Sequence, residues 1–494
     1  MQFLVLGLDK DYMLEKFKLF HQKYDCVEYI CTQYPIKEGH KFQDKKRIDY
    51  SKLFDELSIF EAFPIHEISP LDNQFIENFE KCYFNFFSTI DRCAVVPISV
   101  GEINSYYYTL LCFFKSFFLE NNTITHIFFP ATPHFPPDIV LFHVAKYFKI
   151  ETIIFSRTDF DNKYLFRTDW RDKIEFLKPK EDLINNLDLT KQSNFISHSK
   201  KLNNTSLEHN FKKISINLRL KQFFSLLRYA KAIAKSPHLY SSFYLNKSLP
   251  VIQYLKLLYE RIKLNNNLFE LYNSLSHKPD LNNNFIFFRL HFQPERYSQP
   301  EASYFENQLL AIKLLSYNLP KGYLIYVKEH PRQFDNATPD LRKTHARNYN
   351  YYNQLNEIQG VKLVDLRIDS EILIKNACLV ATLTGSSGWQ ALKMNKPVFV
   401  FGHPWYESCF GVFNISNSND IKKAFGVIQN LNKDEIIDGV NVFIKSLEAN
   451  LVDGYTGIKN PNGEEVNFQT IAEPFSEKLY NYSMNLKVSS SNKL

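Results

Sequence analysis

Glycine is scarce in this chain, at 14 of 494 residues. A chain so poor in the residue that tolerates left-handed and crowded backbone leaves each glycine marking a turn or a close approach. Cysteine supplies no framework either. The seven (Cys26, Cys31, Cys82, Cys93, Cys112, Cys378, Cys409) are odd in number and lack the close pairs of zinc and redox motifs. That excludes a cysteine-bound metal and points to free buried thiols in a reducing compartment. No stretch reaches the roughly 18 uninterrupted apolar residues of a membrane span. The opening "MQFLVLGLDKDY" resembles a first strand and carries no basic leader, so a cytoplasmic protein is expected. No glycine-rich turn runs into Gly-Lys-Ser/Thr, which excludes P-loop chemistry. Gly385 and Gly388 stand three apart, too close for the Gly-x-Ser-x-Gly of a nucleophile elbow.

What the chain does contain is core material: 45 Phe, 29 Tyr and 45% hydrophobic residues. Its length exceeds what one core fills, so two domains are expected. The runs "QFLVLGL", "RCAVVPISV", "THIFFPAT" and "ETIIFSRT" alternate with helical segments such as "PPDIVLFHVAKYFKI", the pattern of a parallel α/β sheet. A second alternating series runs from "NNNFIFFRLHFQPE" through "GYLIYVKEHP", "VKLVDL" and "ACLVATLTGSSG" to "KPVFVFGHPWY". The expected organisation is an α/β unit over 1–177, a basic helical linker or insertion over 178–280, a second α/β unit over 281–450, and a C-terminal helix and tail over 451–494. From Ser199 to Ser236 nine Lys/Arg face one Glu. This belt is either a solvated helical face or a contact for an anionic membrane surface. No recognition motif accompanies it, and nucleic acid is not expected as a partner.

Ligands of open parallel sheets sit beyond the carboxyl ends of strands. In "FIFFRLH" the period of two puts Arg289 and His291 on one side, and in "YLIYVKEHP" it does the same for Lys328 and His330, bringing four potential cations to one edge. Between Leu379 and Tyr406, "LVATLTGSSGWQALKMNKPVFVFGHPWY" breaks at Thr384, Gly385, Ser386, Ser387 and Gly388 before a helix-like run. Such a strand-to-helix turn offers N–H groups to an anion. Gln293 and Glu295 fall on the loop after the first strand of this unit, where Glu295 could accept from ribose hydroxyls. In the first unit, "TPHFPPD" ends a strand and starts a helix, which puts His134 and Asp138 near the expected cleft as catalytic candidates, or makes them a helix start and a loop histidine. His143, on an apolar helical face, reads as a core residue. Asp159 and Asp161 imitate a metal-binding Asp-x-Asp, but such triplets are common by chance and no metal is expected.

The stretch "LHFQPERYSQPEASYFENQLLAIKLLSYNLPKGYLIYVKEHP" followed by "TLTGSSGWQALKMNKPVFVFGHPWY" resembles the capsule polysaccharide synthesis family, which includes bacterial Kdo transferases. The resemblance spans Phe285 to Tyr406, with an echo in "FFPATPHFPPDIVLFHVAKYFKIETIIFSRT". It implies two Rossmann-like domains in GT-B arrangement, a nucleotide-sugar donor on the C-terminal unit, an acceptor on the N-terminal unit, and reaction between them without a metal. It further implies a CMP-activated sugar such as Kdo and a polysaccharide or glycolipid acceptor. His330 and Pro331 match the family's His-Pro pair and Ser386 and Ser387 its serine turn, with His330 neutralising the leaving phosphate, helped by Lys328. The resemblance makes Asp169 the first choice for the catalytic carboxylate and Asp159 the second. Gln390 stands where many members carry Glu, which leaves a UDP-sugar transferase or an epimerase of the same scaffold as alternatives. A catalytically silent carbohydrate-binding or assembly protein is the alternative of another class.

Overall fold

The computed structural model describes residues 1–9, 11–36, 40–95, 97–160, 162–172, 241–242, 247–248, 251–295, 298–335, 347–448, 450–454 and 468–491. Asp161 and the basic belt 199–236 lie outside them. The chain divides into two compact units.

The first unit is built on β1 (Phe3–Leu6), β2 (Val27–Thr32), β3 (Lys46–Asp49), β4 (His126–Phe129), β5 (Glu151–Arg157) and β6 (Lys163–Arg167). Strands β3, β2, β1, β4 and β5 run parallel in that order, and β6 turns back antiparallel to β5. The helices between them are α1 (Asp11–Tyr24), α2 (Asn73–Glu77), α3 (Glu80–Cys93), α4 (Val100–Glu120) and α5 (Pro136–Tyr147). The expected strand "RCAVVPISV" does not form. Its start is the end of α3, and a capping box at Ser99 and Glu102 commits its end to α4, since two satisfied helix-end donors outweigh a short β-prone run.

The second unit holds a short pair, β7 (Ser241–Ser242) with β8 (Lys247–Ser248), and then α6 (Val251–Leu275). The described part of the region expected as a linker thus holds that short pair and one long helix. The helix is built into the core of this unit through Leu268 and Tyr272. The parallel sheet follows, with β9 (Asn284–Arg289), β10 (Tyr323–Lys328), β11 (Val361–Leu363), β12 (Leu379–Thr382), β13 (Val398–Val400) and β14 (Val412–Asn414). Their spatial order is β11-β10-β9-β12-β13-β14, the doubly wound order of nucleotide-binding sheets. Helices α7 (Gln308–Tyr317), α8 (Tyr349–Glu357), α9 (Ser370–Asn376), α10 (Ser386–Leu392), α11 (Ser418–Ile428) and α12 (Lys433–Glu448) connect the strands or follow them. Both units are therefore α/β sheets of Rossmann type, as the alternating runs imply.

After α12 the chain returns to the first unit. Strand β15 (Val452–Asp453) pairs antiparallel with β6, and α13 (Phe468–Ser491) packs on α1. Phe475 and Leu479 join Phe3, Met13, Phe17 and Phe128 in one buried cluster.

Candidate functional site

In the second unit the strand order reverses between β9 and β12, and that reversal is where an open sheet leaves a crevice for a ligand. Arg289, half-buried, ends β9 opposite Lys328 at the end of β10. Just past β9, His291 is buried with Nε2 3.0 Å from Thr382 Oγ1 at the end of β12. The Gly385 N–H reaches the same Thr382 hydroxyl at 3.2 Å. A side chain at Gly385 would start 2.8 Å from Thr382 Oγ1 and 3.0 Å from His291 Nε2, so glycine is required there for close approach. The Tyr406 hydroxyl donates to the Gly385 carbonyl from the far side. The turn is thus gripped by three side chains, and Gly385 itself supplies no side-chain cap to α10. Thr384, Ser387 and Gly388 are buried, while Gly385, Ser386 and Gln390 remain half-buried.

Beneath the edge lies a buried ionic network that periodicity did not single out. Glu329 accepts from Arg347 Nε at 2.7 Å, from the Tyr352 hydroxyl at 2.9 Å and from the His330 N–H at 2.7 Å. Arg347 also donates to Gln293 Oε1 and to the His291 carbonyl. Both ions are inside the protein, so each depends on the other to offset its lost hydration. The network ties the loops after β9 and β10 together. In the sequence Glu329 stands between Lys328 and His330 in "KEHP", a charge needing a partner that spacing alone cannot name.

Two residues expected at the ligand also make bonds within this scaffold. Gln293 gives its amide nitrogen to the Glu306 carbonyl at 3.0 Å, and its amide oxygen accepts from Arg347. Lys328 is anchored on its far side. Its ammonium donates to the Ile368 carbonyl and lies 3.3 Å from Ser370 Oγ, because a buried ammonium takes the nearest acceptors, here on the segment between β11 and α9. Glu295 is half-buried on the loop after β9, where its carbonyl accepts from Ser298 and Gln299.

Of the four potential cations expected at this edge, the two histidines are lowered. Burial, then Arg289 and Arg347, push His291 down to about 3. Burial, then Arg289 and His291, hold His330 well below the usual imidazole range. Both rings are neutral near pH 7. His330 caps the short turn Pro331–Phe334, its Nδ1 accepting from the Arg332 N–H at 3.2 Å. Nε2 therefore carries the hydrogen, and His330 is a neutral donor.

The first unit reverses its strand order between β1 and β4. Gly7, at φ +80°, ends β1 so close to Pro130 that a Cβ would lie 2.7 Å from its Cγ. Asp138 sits in the first turn of α5, just beyond this point, and accepts from the Tyr50 hydroxyl at 2.7 Å. Burial pushes its carboxyl up to about 7. His134, on the same loop, is oriented by Nδ1 donating to the Thr132 carbonyl at 2.7 Å. Asp159 is exposed just past β5, at the same edge.

Asp169 lies at the opposite edge. Because β6 runs antiparallel to β5, Arg167 pairs with Ile154 and the Thr168 carbonyl accepts from Thr152 near the start of β5. Burial raises the Asp169 carboxyl, but hydrogen bonds and charge from Arg171, at 2.9 and 2.6 Å, outweigh it and hold it low. This buried carboxylate is thus ion-paired with Arg171 at the amino edge. Chain order could not show this, since it does not reveal that β6 turns back. Among the described residues no group of three or more His, Cys, Asp or Glu is placed to hold a metal ion, and no helix is long and apolar enough to cross a membrane.

Residues 303–423 match the family model described as capsule polysaccharide biosynthesis protein. Over that stretch this chain is similar to capsule polysaccharide biosynthesis proteins. The segment contains His330, Pro331 and the 384–388 turn. No curated protein matches the chain. Among solved structures, the chain is similar to the beta Kdo 2,7 transferase of Thermosulfurimonas dismutans KpsC at 16% identity, covering 45% of this chain and 65% of that one, with TM-score 0.24. The beta Kdo 2,4 transferase of the same protein gives 12% identity, 60% and 74% coverage and TM-score 0.26. The UDP-GlcNAc 2-epimerase of Methanocaldococcus jannaschii gives 12% identity, 87% and 93% coverage and TM-score 0.22. The chain thus spans just under two thirds of the first of these.

Proposed function

We propose that this protein is a nucleotide-sugar-dependent glycosyltransferase of bacterial capsular or lipopolysaccharide synthesis, with a CMP-activated sugar such as CMP-Kdo as donor. The observation that carries the reading is the β9/β12 reversal. There Arg289 ends β9, and His330 and the 384–388 turn, which follow β10 and β12, fall inside the segment that matches the capsule polysaccharide family model. The donor phosphate takes the Nε2–H of His330 and the turn's hydroxyls and N–H groups. Hydrogen bonds to a charged group of this kind are worth about 1.5 to 3 kcal/mol each. Glu295 and Gln390 are the polar groups for the nucleoside.

The acceptor, a polysaccharide or glycolipid, binds at the β1/β4 edge of the first unit. Asp138 relieves its hydroxyl of a proton, a task suited to a base poised near the working pH. The oxygen so released bonds to the anomeric carbon as the bond to the donor phosphate breaks. His134 and Asp159 flank that edge. The place of action is the cytoplasm or the inner face of the membrane, with the 199–236 belt as the anionic-surface contact.

Calorimetric titration with CMP, UDP and GDP, together with donor hydrolysis in the absence of acceptor, tests the proposal. CMP should bind tightest, and His330→Ala should weaken it about tenfold or more. Asp138→Asn should keep CMP affinity and lose transfer about a hundredfold or more. Preference for UDP would replace this reading with a UDP-sugar transferase or epimerase, as the neutral Gln390 would suit. Binding without turnover would make the protein a carbohydrate-binding or assembly factor.

A further inference from the structure

The second unit carries an open depression of about 690 Å³ at the amino edge of its sheet, where the end of α7 and the turn before β10 face the turn before β11. The candidate nucleotide site lies beyond the other end of the same strands. Six residues of β10, at roughly 3.3 Å each, set the two on the order of 20 Å apart. A small ligand in one does not touch the other.

The walls of the depression are fixed from within. The Ser316 hydroxyl donates to the Gln359 carbonyl at 2.6 Å, which ties α7 to the turn before β11. That turn is closed by the Val361 N–H on the Ile358 carbonyl at 3.1 Å, and the turn before β10 by the Tyr323 N–H on the Pro320 carbonyl at 3.1 Å. Gly360, at φ +75°, approaches Leu319 so closely that a Cβ would stand 2.8 Å from its Cδ2. Gly322, at φ +83°, has nothing within 4 Å of where a Cβ would stand, so the backbone there borders free space.

The chemistry of the depression is of one sign. Lys313 and Lys321 line it, and none of its lining residues is Asp or Glu. Lys313 donates to Gln354 Oε1 at 3.1 Å, a neutral acceptor that positions the charge without cancelling it. Tyr317, which also lines the depression, is 84% exposed. A phenol ring offers an apolar face and a polar tip. That face suits the C–H side of a pyranose, whose hydroxyls stay in water. Two cations beside an accessible ring therefore suit a sugar that bears a carboxylate, and a pocket of this volume is large enough for a small ligand.

We propose that this depression is a second carbohydrate site, which holds a carboxylate-bearing saccharide of the polymer away from the place of transfer. The choice of a saccharide rests on the reading of the protein as a polysaccharide transferase, whereas the charge and the ring belong to the depression itself. Lys313 and Lys321 take the carboxylate, and Tyr317 takes the pyranose face. A chain held at one point has a raised effective concentration at another, so a site here retains polymer between transfers.

The test is calorimetric titration of the full chain with trimers of galacturonic acid and of sialic acid, against maltotriose as a neutral sugar and inorganic phosphate as a bare anion. At least one acidic trimer should bind more tightly than maltotriose or phosphate, and its affinity should fall as salt is raised. Lys313→Gln combined with Lys321→Gln should lower that affinity about fivefold or more. Tyr317→Ala should lower it about threefold or more, and Tyr317→Phe, which keeps the ring, should stay within twofold of the parent. CMP affinity should be parental in all three variants. Failure of both acidic trimers to bind the parent overturns the proposal, and so does an affinity within twofold of the parent in the double lysine variant. Maltotriose or phosphate binding as tightly as the acidic trimers overturns it too, since the depression would then read only the sugar or only the charge. A parent that binds CMP and neither trimer overturns this inference alone. A parent that binds a trimer through these lysines and none of CMP, UDP and GDP keeps the site and overturns the transferase reading.

Discussion

Each sheet carries a different kind of titrating side chain at its carboxyl edge, and the two kinds act on stability in opposite directions. Burial raises the Asp138 carboxyl from 3.8 to about 7. A carboxyl raised on folding contributes stability that is fully present below its unfolded value and is lost as pH rises through the folded one. The native state therefore weakens between about pH 4 and 7 on account of this residue. A shift of about three units corresponds to an effect on the order of 4 kcal/mol. Asp138→Asn should accordingly flatten the fall in melting temperature over that window and raise it at pH 8. A variant that melts in parallel with the parent from pH 4 to 8 would place the ionised carboxylate in water. His291 and His330 are lowered, so their contribution is present above about pH 6.5 and is lost as pH falls. His291→Gln should flatten the acid limb and leave the alkaline side as it was.

At the scale of elements, the strand-end turn depends on backbone approach as much as on its hydroxyls. Gly385→Ala would bring a methyl 2.8 Å from Thr382 Oγ1 and 3.0 Å from His291 Nε2, with the Tyr406 hydroxyl bracing the carbonyl behind. Relief requires moving the turn or swinging Thr382 away, a cost of about 1 to 3 kcal/mol. Denaturant unfolding should show that loss, and nucleotide affinity should drop with it. Unchanged stability and affinity would mean that the turn is loose. How much of this was legible in the sequence follows from the range of each signal. Strands of the second sheet stand out as apolar runs, and "TLTGSSG" announces its turn because small residues sit between a strand and a helix. Helix α5 was legible from its Pro-Pro-Asp start. The failures are of longer range. "RCAVVPISV" has the pattern of a strand, but the Ser99 capping box claims its end, and the reversal of β6 that sets Asp169 at the amino edge has no signal in chain order. Glu329 and Arg347 are 18 residues apart in the chain, and no period joins them.

At the scale of the molecule, the first unit is finished by the last part of the chain. Phe475, on α13, sits 5.6 Å from Phe17, 5.7 Å from Phe155 and 5.8 Å from Phe166, measured between ring centroids. Lys16, buried on α1, has its ammonium 5.4 Å from the Phe155 ring and 5.5 Å from that of Phe475. Burial lowers this lysine to about 8, so the rings around it also shelter a weakened cation. The second unit has a separate core, in which Ile286, Phe288, Val327, Ala381 and Phe399 pack with Leu268 and Tyr272. Loss of the Phe475 ring should then be felt in one unit and not in the other. Phe475→Ala should cost about 3 to 5 kcal/mol, read as faster amide exchange in β1, β4 and β5. Exchange in β9, β10 and β12, and nucleotide affinity below the melting range, should stay at parental values. Equal acceleration in both sheets would mean that the two cores unfold as one cooperative body. Protection unchanged in β1 and β4 would mean that α13 only covers the first unit and does not complete its core.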